Sequence, residues 1–461
     1  MPNQNILTYG AKVSNVQYVY YAPVATVPPT GQALSSIYVF LSRTDPWPDP
    51  NNPPVPQQTQ KYIKSVFNNM FVAKKVTSNN IQPVIQRIDW LTNVTYDYYR
   101  DDVDMFQVDQ NGYLVYQFYV KNRYNQVFKC LWNNNGGLST VEPYFEPGTY
   151  GANNLFLGGD GYKWKYMFTV DTGLAVNFMD SAWIPVPVGA NTPNPLVTSA
   201  GRGSIDVINL TNAGLGYDPA NAQVTITITG DGTGAAATIN PSLNVSGSLS
   251  DIVVTNPGSN YTYANVTITS AIGSNATAFA PTSPIGGHSF DPLSELGCSH
   301  VMLTCEFNSS ETTGGVNMVP TDITYYQFGA VINPTTQSLS PLPANSTIYK
   351  TTTDVVVSPG LGLYQSDELV FQGSSLTNAS FVGTVLSFDP ASNTIKLINT
   401  SGTLTVNAPV VGNNSKTSRT ILSYSLPDFA IFSGYISYIE NRTPIQRSYD
   451  GIEQFKVVLG Y

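Results

Sequence analysis

Apolar and polar positions alternate along most of the chain in short runs punctuated by Gly, Pro, Asn and Asp, a pattern that predicts many strands and few helices. The C-terminal end shows it well: Gly434 to Ile445 and Phe455 to Tyr461 read as two strands joined by a turn-rich connection. Near the other end, Val16–Val24 and Ser36–Leu41 have strand character. The breaker-rich stretch Asp45-Pro46-Trp47-Pro48-Asp49-Pro50 then reads as an ordered loop anchored by Trp47. One helix is expected, with Thr59 as N-cap and Tyr62, Ile63, Val66, Phe67, Met70 and Phe71 on its apolar face, ending near Lys75.

Val84 to Trp90 reads as extended, which puts Arg87 and Asp89 on one face. Tyr113–Val120 and Gln126–Trp132 predict a hairpin. A Gly159-Asp160-Gly161 turn then launches a strand with Tyr162, Trp164, Tyr166 and Phe168 on one side, an aromatic core stripe. Beyond Pro193 the composition shifts to Gly, Ala, Thr and Asn, and a unit repeats: Ile208 to Tyr217, Val224 to Ile228 and Gly232 to Ala235 are echoed by Val253 to Tyr261, Val266 to Thr269 and Gly273 to Ala276. Between Thr351 and Ser423, strands at Asp367–Gly373, Ala379–Phe388, Thr394–Asn399 and Thr403–Val406 have the regular spacing of a small barrel.

The expected fold is mainly β: a multi-domain β-sandwich core with few helices, an inserted β-repeat module and a small inserted β-barrel. The core begins with 1–195 and continues in 286–350, 196–285 and 351–423 are insertions, and 424–461 supplies the completing strands.

Composition narrows the function classes. Charged residues make up only 11% of the 461 residues, against about 25% in average soluble domains, so the surface is solvated by amides and hydroxyls. Such a profile is common among virion and extracellular structural proteins. A net charge of −9 without a Lys/Arg cluster argues against nucleic-acid binding. No signal-like N-terminus and no long apolar run is found, so neither ordinary secretion nor a membrane span is expected. Three cysteines without CxxC spacing and two histidines predict free thiols rather than disulfides or a zinc site.

The sequence offers little catalytic chemistry. The acidic run Asp97 to Asp104 lacks the spacing of a calcium loop, and nothing fixes a second carboxylate opposite it for glycoside hydrolysis. His288 and Asp291 lack a nucleophile or metal partners and read as turn scaffolding. No enzymatic activity, cofactor or metal is expected. Tyr217, Tyr261 and Tyr263 leave open a carbohydrate- or receptor-binding virion protein, stacking on sugars.

Five stretches in order, Ser42–Trp47, Ile85–Trp90, Gly159–Phe168, Trp183–Pro187 and Tyr438–Ile445, together resemble the baseplate wedge subunit family of T4-type phages known as gene product 8. The resemblance covers about Val16 to Val188 and Ser423 to Tyr461. It implies a homodimeric, non-enzymatic β protein, made in the host cytoplasm and assembled with other wedge proteins in the virion tail baseplate. The repeat and the barrel depart from that pattern and look like add-on modules of cyanophage structural proteins. Expected interface residues are Trp47, Pro48, Arg87, Asp89, Trp90, Glu440 and Arg442, with the two modules.

Overall fold

The computed structural model describes residues 8–21, 36–146, 155–188, 202–218, 224–240, 247–313, 316–317, 319–342 and 347–461. The fold is mainly β, with four α-helices among the described residues. The chain forms two compact units, one of Met1–Tyr18, Gln82–Met302 and Val458–Tyr461, the other of Val19–Ile81 and Leu303–Val457. The change of composition at Pro193 and the expected boundary at 195/196 lie outside the described residues.

In the second unit an antiparallel sheet runs in the order Ile348–Lys350, Met70–Lys75, Ile37–Ser42, Ile323–Ile332, Tyr435–Arg447. Helix Gln60–Asn69 packs Tyr62, Ile63, Val66 and Phe67 onto it, against Tyr38, Phe40, Ile436 and Ile439. Its N-cap is Thr59, whose hydroxyl accepts from the Tyr62 amide. The helix ends at Asn69 and not near Lys75. Met70 and Phe71 fit the helical stripe but begin a strand beside Ile37–Ser42, with Met70 opposite Ser42, Val72 opposite Leu41 and a bulge at Phe71, so tertiary pairing overrides the local period.

The barrel of the same unit closes in the order Thr353–Val357, Thr394–Gly402, Ala379–Asp389, Leu369–Gly373, Pro409–Gly412, Ser418–Ser425. Its interior is filled by Val355, Val370, Phe381, Val385, Leu397 and Ile421 among others. Thr403–Val406 is a loop, and Pro409–Gly412 supplies the strand expected there. The C-terminal strands do not form a hairpin: Tyr435–Arg447 is the edge of the five-stranded sheet, whereas Ile452–Gly460 belongs to another.

The first unit is built on a sheet in the order Tyr119–Lys121, Gln126–Asn133, Tyr162–Thr169, Leu155–Leu157. Of the expected strand Tyr113–Val120, Tyr119 and Val120 pair with the Gln126–Asn133 strand, and Leu114 makes an isolated bridge to Val108. Tyr162, Trp164 and Tyr166 do point into one core with Tyr96, Phe128 and Phe145. Near the N-terminus, Tyr9–Tyr21 is a helix and not the expected strand from Val16, whose end at Val24 lies outside the described residues. Val13 and Val16, one turn apart, are its buried pair, and a short Val/Tyr run satisfies either period.

The repeat folds as one interlocked body. Each half lends strands to the other: Asn209–Leu215 pairs with Ser274–Phe279, and Thr233–Ile239 with Ile252–Ser259. The equivalent strands Val224–Gly230 and Ala264–Ser270 pair antiparallel, with Ile226 opposite its own counterpart Ile268 on the local pseudo-twofold axis. Tyr217 and Tyr261 take equivalent roles, each hydroxyl accepting a backbone amide at 3.3 Å, from Ala276 and Ala235 respectively. Gly214 and Gly258 match too, at φ 62° and 63°, where a Cβ would collide with the opposing strand.

Candidate functional site

The residues picked out by sequence fall into two groups, one in each unit. In the second unit the Trp47 indole donates to the backbone oxygen of Arg442 at 2.9 Å, and its ring meets Tyr326 edge to face. Arg442 pairs with Glu440 at 3.0 Å, as two residues on one face of an extended strand can, and lies over the Phe455 ring. Beside them the Asn441 side-chain oxygen accepts from Tyr62 and Gln327, while its amide donates to Pro54. Arg43, at the start of the same loop, holds Asp367 through two guanidinium bonds and donates to the Thr324 carbonyl. The Pro-rich loop is thereby strapped across the edge strand, with Trp47 half-buried and Pro48 exposed. An edge strand offers unpaired backbone groups to any other strand, and such a strap blunts it.

In the first unit Arg87 pairs with Asp89 at 2.9 Å and donates to the Asp180 carbonyl. Lys121 approaches Asp89 from the far side at 3.1 Å. The Trp90 indole donates to Ser139 at 3.0 Å. The stretch Trp183–Pro185 pairs with Val84–Gln86, so two of the five stretches are neighbours in one ladder. These side chains bond within their own unit, and Pro48 stands at the surface.

The acidic run is dispersed rather than convergent. Asp101 binds the amide and hydroxyl of Thr282, Asp102 pairs with Arg100, and Asp97 accepts from the Gln117 amide. Among the described residues no group of three His, Cys, Asp or Glu is placed to hold a metal ion. Cys130, Cys298 and Cys305 are free and buried, and burial raises each thiol's pKa, to about 12 for the latter two.

Sequence reasoning missed a layer of buried charge. Lys163 and Lys165 alternate with the aromatic stripe, and both are buried, as is Lys129 on the neighbouring strand. Lys165 pairs with Asp206 at 2.9 Å and Lys163 with Asp251 at 2.8 Å, which seats the repeat module on the sheet. Asn209 and Asn135 add bonds to the Leu131 and Leu210 carbonyls across the same junction. Lys129 reaches Glu295 at 3.0 Å, and His288 meets the same carboxylate at 2.7 Å. Asp291 instead caps the short helix Pro292–Glu295. Burial alone would raise the Glu295 pKa, but Lys129 and His288 hold it down to about 2. Burial, with the Lys129 charge, lowers that of His288. One signal was available: lysine at every second position of a strand between aromatics demands a carboxylate partner if its face is covered.

The tyrosines on which sugar stacking rested are mostly spent. Tyr217 and Tyr261 are buried inside the module, and only Tyr263 is exposed. No family model matches the chain, and no curated protein does either. Among the described residues no helix is long and apolar enough to cross a membrane.

Proposed function

We propose that this chain is a structural virion protein, a subunit of the baseplate wedge of a contractile-tailed phage, which acts through protein contacts and not catalysis. The observation that carries the reading is the ordered set of five stretches. Their residues hold together the scaffold of each unit: Trp47 of the first binds Arg442 of the last, and Ile85 of the second pairs with Ile184 of the fourth. Motifs used for framework are what an assembly subunit shares with its relatives, whereas an enzyme's would converge on a reactive centre. The low charge agrees, because interface cores are depleted of charge and enriched in aromatics. On this reading the chain is a homodimer, sits against other wedge proteins in the tail baseplate, takes no cofactor and binds neither nucleic acid nor membrane.

The test is fractionation of virions into heads and tails, followed by mass spectrometry and by labelling with an antibody to the chain. The expected result is the chain in tails, with label at the baseplate, and a dimer when the purified chain is weighed at micromolar concentration. A chain confined to heads, or absent from virions, overturns the reading.

A further inference from the structure

A cavity of about 340 Å³ opens in the first unit between helix Tyr9–Tyr21, the loop from Phe106 to Leu114, and residues Ser299 and His300. From its chemistry we propose that it binds a small organic carboxylate with an apolar body.

The walls are apolar although several of the residues are polar by name, because their polar atoms are already used. The Tyr9 hydroxyl donates to the Phe106 carbonyl and the two rings pack at 4.7 Å. The Tyr119 hydroxyl donates to the Gln86 carbonyl at 2.8 Å. Gln86 in turn spends its amide on the Gly112 carbonyl and its side-chain oxygen on the Leu114 amide. What these residues show the cavity is ring face and hydrocarbon.

Two basic groups line the cavity. Lys12 is half-buried and has no carboxylate within ion-pair distance among the described residues; its ammonium lies 5.2 Å from the centre of the Tyr9 ring. His300 is bonded at Nδ1 to the Ser299 hydroxyl at 3.0 Å, while Nε2 lies beside Gly460 with no recorded hydrogen bond. Burial and the charge of Lys12 lower the His300 pKa, so the ring is neutral near pH 7. In the tautomer in which the Ser299 hydroxyl donates to Nδ1, Nε2 carries the proton and is a donor. The cavity therefore offers the Lys12 cation and the His300 ring, with no Asp or Glu side chain in its lining. A cationic ligand meets like charge there, and a neutral polyol finds too few partners. An anion with a ring or short alkyl body matches both the walls and the donors.

The experiment titrates the full chain calorimetrically with benzoate, phenylacetate and hexanoate, each against its neutral amide. At least one acid is expected to bind saturably at one site, and its amide roughly tenfold or more weakly, the factor a charge-assisted contact supplies. Lys12→Met should bring the acid down to the amide's affinity with an unchanged melting temperature, and Leu114→Trp should abolish binding by filling the space. Failure of all three acids to bind, equal binding of acid and amide, or unaltered affinity in Lys12→Met overturns the proposal. None of these outcomes bears on the virion reading, which rests on other residues.

Discussion

The Trp47 indole nitrogen and the Arg442 backbone oxygen, 395 positions apart in sequence, are joined by a hydrogen bond of 2.9 Å. That bond fastens the Pro-rich loop over the outer strand of the five-stranded sheet. Trp47→Phe keeps an aromatic against Tyr326 but leaves the carbonyl unpartnered, which should cost about 1–2 kcal/mol. Trp47→Ala also uncovers the strand edge and should cost about 2–4 kcal/mol. Thermal unfolding reads the first effect. Light scattering on warming reads the second, because an uncovered edge promotes strand-to-strand association. Equal stability and equal aggregation onset in both variants would show the strap to be incidental.

Glu295 lies buried between Lys129 and His288. Glu295→Gln strands a buried ammonium and should destabilise by about 3–5 kcal/mol. Lys129→Met combined with Glu295→Leu should be less destabilised than Glu295→Gln alone, because no charge is left unpaired. The pH dependence has a fixed sign. The folded carboxyl titrates near 2, below its ordinary value of 4.5. Its contribution is full above about pH 4.5 and is lost as pH falls toward 2. Denaturant midpoints of wild type and Glu295→Gln should therefore differ most above pH 5 and converge on acidification. A gap that widens toward pH 2 would contradict the assignment.

The pseudo-twofold repeat makes a prediction about equality. Tyr217→Phe and Tyr261→Phe each remove one acceptor from a backbone amide in matching surroundings. Each should cost about 1 kcal/mol. Because the halves exchange strands, each substitution should also loosen strands of both. Hydrogen exchange should show protection falling on Asn209–Leu215 and Ser274–Phe279 together for Tyr217→Phe, and on Thr233–Ile239 and Ile252–Ser259 together for Tyr261→Phe. Loss confined to one member of a pair would argue that the halves fold independently.

How much of this was legible follows from where the information sits. The barrel could be read because its strands are local and Gly-punctuated, and the repeat because the chain says it twice. The Thr59 cap and the alternation through Tyr162–Phe168 are also local signals. Helix Tyr9–Tyr21 was not legible, since Val and Tyr favour strands in isolation and only the packing of Val13 and Val16 decides otherwise. The burial of Lys163 and Lys165 was not legible for a related reason. Alternation tells which residues share a face but not that the polar face will itself be covered, and the partners Asp206 and Asp251 are supplied from a distant segment. For the candidate site, same-strand pairs such as Glu440 with Arg442 could be foreseen from spacing, whereas the choice of Arg442 by Trp47 could not.

The C-terminal strand Ile452–Gly460 puts these long-range dependencies to the hardest test. Its Phe455 stacks on Phe328 at 4.3 Å and carries Arg442 over its ring, within the second unit. Three residues later the chain enters the first unit, where Val458 packs against Val84, Phe178 and Met302. Deleting Phe455 to Tyr461 therefore removes apolar contacts from both units. Loss of the buried Phe455 alone should cost about 3–5 kcal/mol, a large share of the 5–15 kcal/mol by which a domain is ordinarily stable. The truncated chain is expected to be insoluble, or soluble with collapsed near-ultraviolet dichroism. Phe455→Leu, which keeps the strand and most of the apolar volume, should fold with a lowered melting temperature. A truncated chain that melts like the full-length protein would mean that neither core depends on this strand.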